Sequence, residues 1–444
     1  FMKDQRWNFF PSFSLGWNVA RENFWKPLES VVNQFKLRGS WGELGNQNTS
    51  NLYPFYEILP VKSNSGNWLV NGGKTNTADI PSLVSTLLTW ERVRSFNVGF
   101  DFGAFSNRLT GSFDYFVRKT VDMVGPAPQL PLVLGIAPAI VNNADMKSYG
   151  FEIELSWRDR IGEVDYGVKF NLADAQQKVV KYPNTTNAFS DWYAGKMSGE
   201  IWGYTSLGIA KTDEEMKEHL ASLPNGGQNQ LGNKWGAGDI MYADINGDGK
   251  VDGGKGTLAD PGDQRIIGNS TPRYNFGLVL DASYKGFDVS IFFQGVGKRD
   301  YAPIVGTNGA VFWGAVNNIW QSMAMEEHFD YFRPEGHPMG ANLNGYYPRP
   351  DFTSNKNHQV QTRYLQDASY IRLKNLQIGY TLPKQWINKL HINRCRVYVS
   401  GDNLWTGTSL ASMFDPETLA AGDWGSGKTY PLSKVISFGL NVNF

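Results

Sequence analysis

Apolar and polar residues trade places one by one along much of this chain. In the final segment Ile436, Phe438, Leu440, Val442 and Phe444 are apolar, with Ser437, Gly439, Asn441 and Asn443 between them. A strand sends alternate side chains to opposite faces, so such a segment has one greasy face and one polar face. The same period runs through Tyr149, Phe151, Ile153, Leu155 and Trp157, set against Gly150, Glu152, Glu154 and Ser156. It recurs at 164–172, 274–284 and 287–293. Eleven segments of this kind start near Phe13, Phe35, Phe96, Leu109, Tyr149, Val164, Tyr274, Phe287, Tyr370, Cys395 and Ile436, and each predicts a β-strand.

The connections alternate in length. Stretches 103–108, 158–163 and 285–286 are short; 42–95, 118–148, 173–273, 296–369 and 406–435 are long. A soluble β-sandwich also alternates residue by residue, but it has no reason to sort its loops. Transmembrane barrels do, with short periplasmic turns and long outer loops. The expected fold is therefore all-β: a transmembrane antiparallel β-barrel. Eleven strands would be half of a plugged barrel of roughly 22. Counting back from Phe444, every long connection falls on the outer side. An open half-barrel would leave unpaired edges in lipid, so the plug and the remaining strands are expected to lie outside this sequence.

Composition narrows the function. The 444 residues carry 42 Lys+Arg against 42 Asp+Glu, without the basic excess that nucleic acid calls for. The 15 Trp and 20 Tyr suit strands with aromatic ends at membrane interfaces, as at Tyr274 and Tyr284. A single cysteine, Cys395, excludes an internal disulfide. The most apolar window, 130–141, is too short for a transmembrane helix and is interrupted by Pro131, Gly135 and Pro138. No signal peptide is visible, and the pattern is already under way at the first residues.

Three stretches could carry chemistry. Asp244, Asn246, Asp248, Lys250 (through its carbonyl) and Asp252 have the spacing of an EF-hand-type calcium loop, and Gly249 permits the bend. Lys255 stands where the closing Glu belongs, so Asp260 or Asp263 is the expected last ligand. The calcium would be structural, and a metal-free Asp/Asn/Gly turn is the plainer alternative. Residues 422–429 match the phosphate-loop pattern G-x-x-x-x-G-K-[ST], but no strand–helix context surrounds them, so a glycine-rich loop is expected. Loop aromatics Trp192, Tyr193, Trp202, Tyr204, Trp235, Trp313, Trp320 and Trp424 are candidates for stacking on a sugar or peptide; packing within the loops or against a partner is the alternative. Scattered histidines and the lack of a nucleophile elbow give no enzyme.

The chain also resembles the SusC-like (SusC/RagA) family of TonB-dependent transporters of the Bacteroidetes. The resemblance runs through Phe10-Pro11-Ser12, Leu37-Arg38-Gly39-Ser40-Trp41-Gly42, Asn97-Val98-Gly99 and Asp114-Tyr115-Phe116. It is densest at Asp367-Ala368-Ser369-Tyr370-Ile371-Arg372-Leu373-Lys374-Asn375, Gly379-Tyr380-Thr381-Leu382-Pro383 and Asp415-Pro416-Glu417. It implies an outer-membrane protein importing oligosaccharides or peptides. It further implies a SusD-like surface lipoprotein as lid, energy from TonB–ExbB–ExbD, and Phe444 as the signal for barrel assembly. A calcium-binding surface adhesin or glycan-binding β-protein without transport is the alternative; it would be soluble without detergent.

Overall fold

The computed structural model describes residues 5–47, 53, 55–127, 131, 133, 135–136, 138–303, 311–316, 324–351, 356–388, 391–419 and 429–444. Eleven strands form one antiparallel sheet, each paired to its neighbour in sequence. They are β1 (Ser12–Asn18), β2 (Val32–Asn46), β3 (Glu91–Ala104), β4 (Leu109–Val124), β5 (Asn142–Ile161), β6 (Val164–Lys181), β7 (Arg273–Tyr284), β8 (Phe287–Lys298), β9 (Tyr370–Thr381), β10 (Arg394–Thr408) and β11 (Val435–Asn443). These are the eleven alternating segments, several of them longer than their apolar stripe. β4 and β5 extend until only 125–141 separate them, which shortens the loop expected at 118–148.

Tight turns make three of the five connections at one end of the sheet, 105–108, 162–163 and 285–286, while 19–31 and 382–393 are longer. Lys285 and Gly286 both have positive φ (46° and 90°), the backbone of a two-residue hairpin whose twist matches the strands it joins. Gly162, at φ 61°, does the same between β5 and β6. At the opposite end lie all the long connections: 47–90, 125–141, 182–272, 299–369 and 409–434. No helix among the described residues is long and apolar enough to cross a membrane.

The hydrophobic core is not in the sheet. Tyr204, Ile240, Tyr242, Phe312, Trp313, Phe332, Tyr347, Tyr364 and Phe414 pack into one cluster contributed by three long connections. These connections form a cap with small two-stranded pieces, such as Glu200–Gly203 on Arg265–Asn269, and one helix, α1 (Asp213–Ala221). Thr212 caps α1, its Oγ1 accepting the Glu215 N–H at 3.1 Å, and Met216 is the residue it buries.

Candidate functional site

Pairing register carries the sequence pattern across the sheet. Trp17, Leu37, Phe100, Phe113, Ile153, Leu172 and Phe276 stand opposite one another in turn across seven strands. Tyr284, Phe287, Tyr380, Val397 and Leu440 make a second such row. Nothing covers this face among the described residues: Phe13 is 70% exposed, Leu15 79% and Phe438 85%. A contiguous apolar surface of this size belongs against lipid or a partner, not water.

The other face is ionic. Arg38 on β2 grips Asp101 and Asp114 on β3 and β4 at 2.8–3.0 Å. Gly99 lies in register between Arg38 and Asp114, and a Cβ there would come within 2.5 Å of Asp114 Oδ1. The glycine therefore makes room for the bridge. Arg396 pairs with Asp288 across β9. Arg273 also pairs with Asp174, but Asp174 stands opposite Phe151, in the register of the apolar face. Glu152 and Glu154 are exposed on this face. One layer with an oily and an ion-paired side is suited to separating lipid from a wet interior.

In the cap, 244–252 forms a loop with inward-turned side chains. Asp244 accepts the N–H groups of Gly247 (2.6 Å) and Gly249 (2.8 Å), and Asn246 Oδ1 accepts that of Asp248 (3.0 Å). Asp263 is fully buried and accepts from Ile245 and Asp252, both at 2.8 Å, so it ties the two ends together. Burial holds its pKa above the usual carboxylate value in spite of those donors. Lys250 Nζ lies 2.5 Å from Asp252 and holds that carboxyl low. Among the described residues no group of three or more His, Cys, Asp or Glu is arranged to hold a metal ion.

The loop aromatics divide. Tyr204 and Trp313 are core residues, 4% and 1% exposed. Trp235 packs on that core against Tyr242, with the Lys356 ammonium 5.2 Å from its ring centre. Trp202 stacks on Phe189 at 4.5 Å, and Trp192 meets Tyr182 edge-on. Tyr193 donates to Glu200 at 2.5 Å. Each of these described rings thus has a packing or hydrogen-bond partner within the loops. Trp320, Trp424 and residues 422–428 of the phosphate-loop match lie outside the described residues.

Residues 2–404 match the model of the TonB dependent receptor-like β-barrel family. This chain belongs to that family. It is similar to TonB-dependent receptor P3 of Formosa agariphila, 29% identical over all of this chain and 42% of that protein. It is also similar to TonB-dependent receptor SusC of Bacteroides thetaiotaomicron, 23% identical over all of this chain and 41% of that one. The solved structure of the RagAB peptide transporter superposes with a TM-score of 0.71, at 23% identity, over 98% of this chain and 43% of that one. The SusC/RagA resemblance and the barrel-type fold hold, and the chain spans about two fifths of the relatives it matches.

Within this TonB-dependent receptor barrel, three features escaped the sequence. The first is a buried polar staple between connections 182–272 and 299–369. Asp239, fully buried, accepts from Arg349 (2.6 and 2.8 Å), Lys356 (2.9 Å) and Asn357 (2.9 Å). The second is a latch at the rim. Beside a bulge at Lys374 in β9, Lys374 and Arg372 both hold Glu417, at 2.6 and 2.7 Å, and Arg372 also grips Asp415 at 2.7 Å. Here the Asp415-Pro416-Glu417 motif gains a structural meaning. The third is His358, 1% exposed and tilted against Trp313 at 4.4 Å, with neither ring nitrogen hydrogen-bonded among the described residues.

Proposed function

We propose that this chain supplies wall and outer cap to a TonB-dependent importer in the outer membrane of a Gram-negative, Bacteroidetes-like bacterium. In this reading the apolar face meets lipid, the ionic face lines a hydrated lumen closed by a plug, and the long connections lie outside the cell. TonB–ExbB–ExbD would supply energy, and a SusD-like lipoprotein would close over the cap. The cargo would be an oligosaccharide or a peptide, and no catalytic step is involved. The observation that carries the reading is the single sheet with one uncovered apolar face and one ion-paired face; family membership supports it.

Deleting the gene in its host tests the function. Growth on oligopeptides or on oligosaccharides as sole source is expected to fail, and to return with the full-length gene but not with one lacking the TonB-contacting segment. Unchanged growth on both would remove the importer reading. We also propose calcium as a structural ion in the 244–252 loop, supported by its spacing and inward-turned oxygens.

A further inference from the structure

A cavity of about 160 Å³ opens in the connection between β8 and β9. Its deepest residues are Trp313 and Tyr347, both part of the cap core. A 3-10 turn, Glu326–Phe329, builds one side. Three residues per turn place Met325 and His328 one above the other, and both line the cavity. Ala324, Phe329 and Pro350 are its exposed lining residues and mark the mouth.

Most of the lining is apolar, and its one buried donor without a partner among the described residues is the Trp313 Nε1–H. His328 Nδ1 accepts the Met325 N–H at 2.8 Å, which leaves Nε2 to donate to the Phe312 carbonyl at 3.0 Å. Both ring nitrogens are thereby engaged. A sugar ring placed here would bury more hydroxyls than this lining can pair, whereas an apolar group, entering beside an indole N–H that is already out of water, would lose nothing. An apolar cavity of roughly 150 Å³ holds one benzene-sized group. The space therefore fits a single phenylalanine or leucine side chain. Glu326, Glu327 and Asp330 are exposed in the same turn. Such a charged surround is unlike the broad apolar centre of a stable protein–protein contact.

We propose that this slot takes one apolar side chain of an oligopeptide substrate. The proposal rests on the importer reading and narrows its cargo to peptide. The test uses full-length receptor in detergent and isothermal titration with three probes: a polar heptapeptide with one central phenylalanine, the same peptide with serine there, and maltoheptaose. The phenylalanine peptide is expected to bind at least tenfold more tightly than the serine peptide. Ala324→Trp, which fills the mouth, should abolish that preference. Phe329→Ser, at the exposed rim, should weaken the phenylalanine peptide several-fold. Equal affinity for the two peptides, or a preference that survives both substitutions, overturns the slot and leaves the importer reading standing. So does an Ala324→Trp receptor that keeps the preference but loses its lipoprotein partner, since the slot then serves the lid. If no probe binds and gene deletion leaves uptake unchanged, the importer reading fails and the slot with it.

Discussion

Asp239 shows what a single buried carboxylate does in the cap. It is shared by Arg349, Lys356 and Asn357, so its loss removes the nearest carboxylate from a lysine that is itself 1% exposed. Removing one partner of a buried ion pair costs about 3–5 kcal/mol. Asp239→Ala is therefore expected to expose the 356–364 segment to protease while strand amides stay protected from hydrogen exchange. His358 gives a pH dependence. Burial pushes its pKa from 6.5 down to about 4, with Asp351 opposing. As pH falls from about 6.5 to about 4, the unfolded segment takes up a proton that the folded cap refuses, so stability drops across that window by up to roughly 3 kcal/mol. Above it the contribution is complete; below it no further loss follows. Cap melting followed from pH 7 to pH 4 should show this slope, and His358→Phe should flatten it. At the 244–252 loop, calcium must displace the Lys250 ammonium from Asp252. Affinity near the millimolar range of extracellular modules is expected, tightened several-fold by Lys250→Ala. Titration that shows no calcium effect on melting in either form would leave the loop as a plain Asx-rich turn.

At the scale of the strand, the two faces make opposite demands. Arginine on the lipid face of a barrel costs about 2–4 kcal/mol at the bilayer midplane. Phe438→Arg on β11, 85% exposed in the chain alone, is expected to lower the amount of receptor assembled in outer-membrane fractions. Glu152→Gln, on the polar face of β5, should leave assembly unchanged. β9 departs from strict alternation at Lys374, where one extra residue faces its partners. A bulge of this kind re-aims a side chain at a sheet rim. Here the bulged residue, Lys374, and Arg372 both hold Glu417, which anchors the β10–β11 connection to the wall.

The whole molecule divides into a wall held by strand pairing and a cap held by a hydrophobic core. In the proposed membrane setting the wall's apolar face has lipid as its solvent, so detergent should be required for full-length receptor to stay monodisperse. The cap obeys aqueous rules, and truncating a buried aromatic costs about 3–5 kcal/mol. Trp313→Ala is accordingly expected to loosen the cap in hydrogen exchange and spare the wall. A uniform loss of protection in both parts would show that they are one cooperative unit.

Strand number and order in the large sheet were legible in the chain because the strand repeat is two residues and every pairing in that sheet is between its neighbours in sequence. The sorting of short and long connections was legible for the same reason. The role of the loop aromatics was not. Tyr204, Trp313 and Tyr364 look alike in a loop whether they face a ligand or one another, and only the meeting of three connections far apart in sequence buried them. The Asp239 staple joins residues more than 100 positions apart, so no local pattern announces it. Alternation is a local consequence of backbone geometry; a cap core is a matter of which distant segments meet, and only the folded chain decides that.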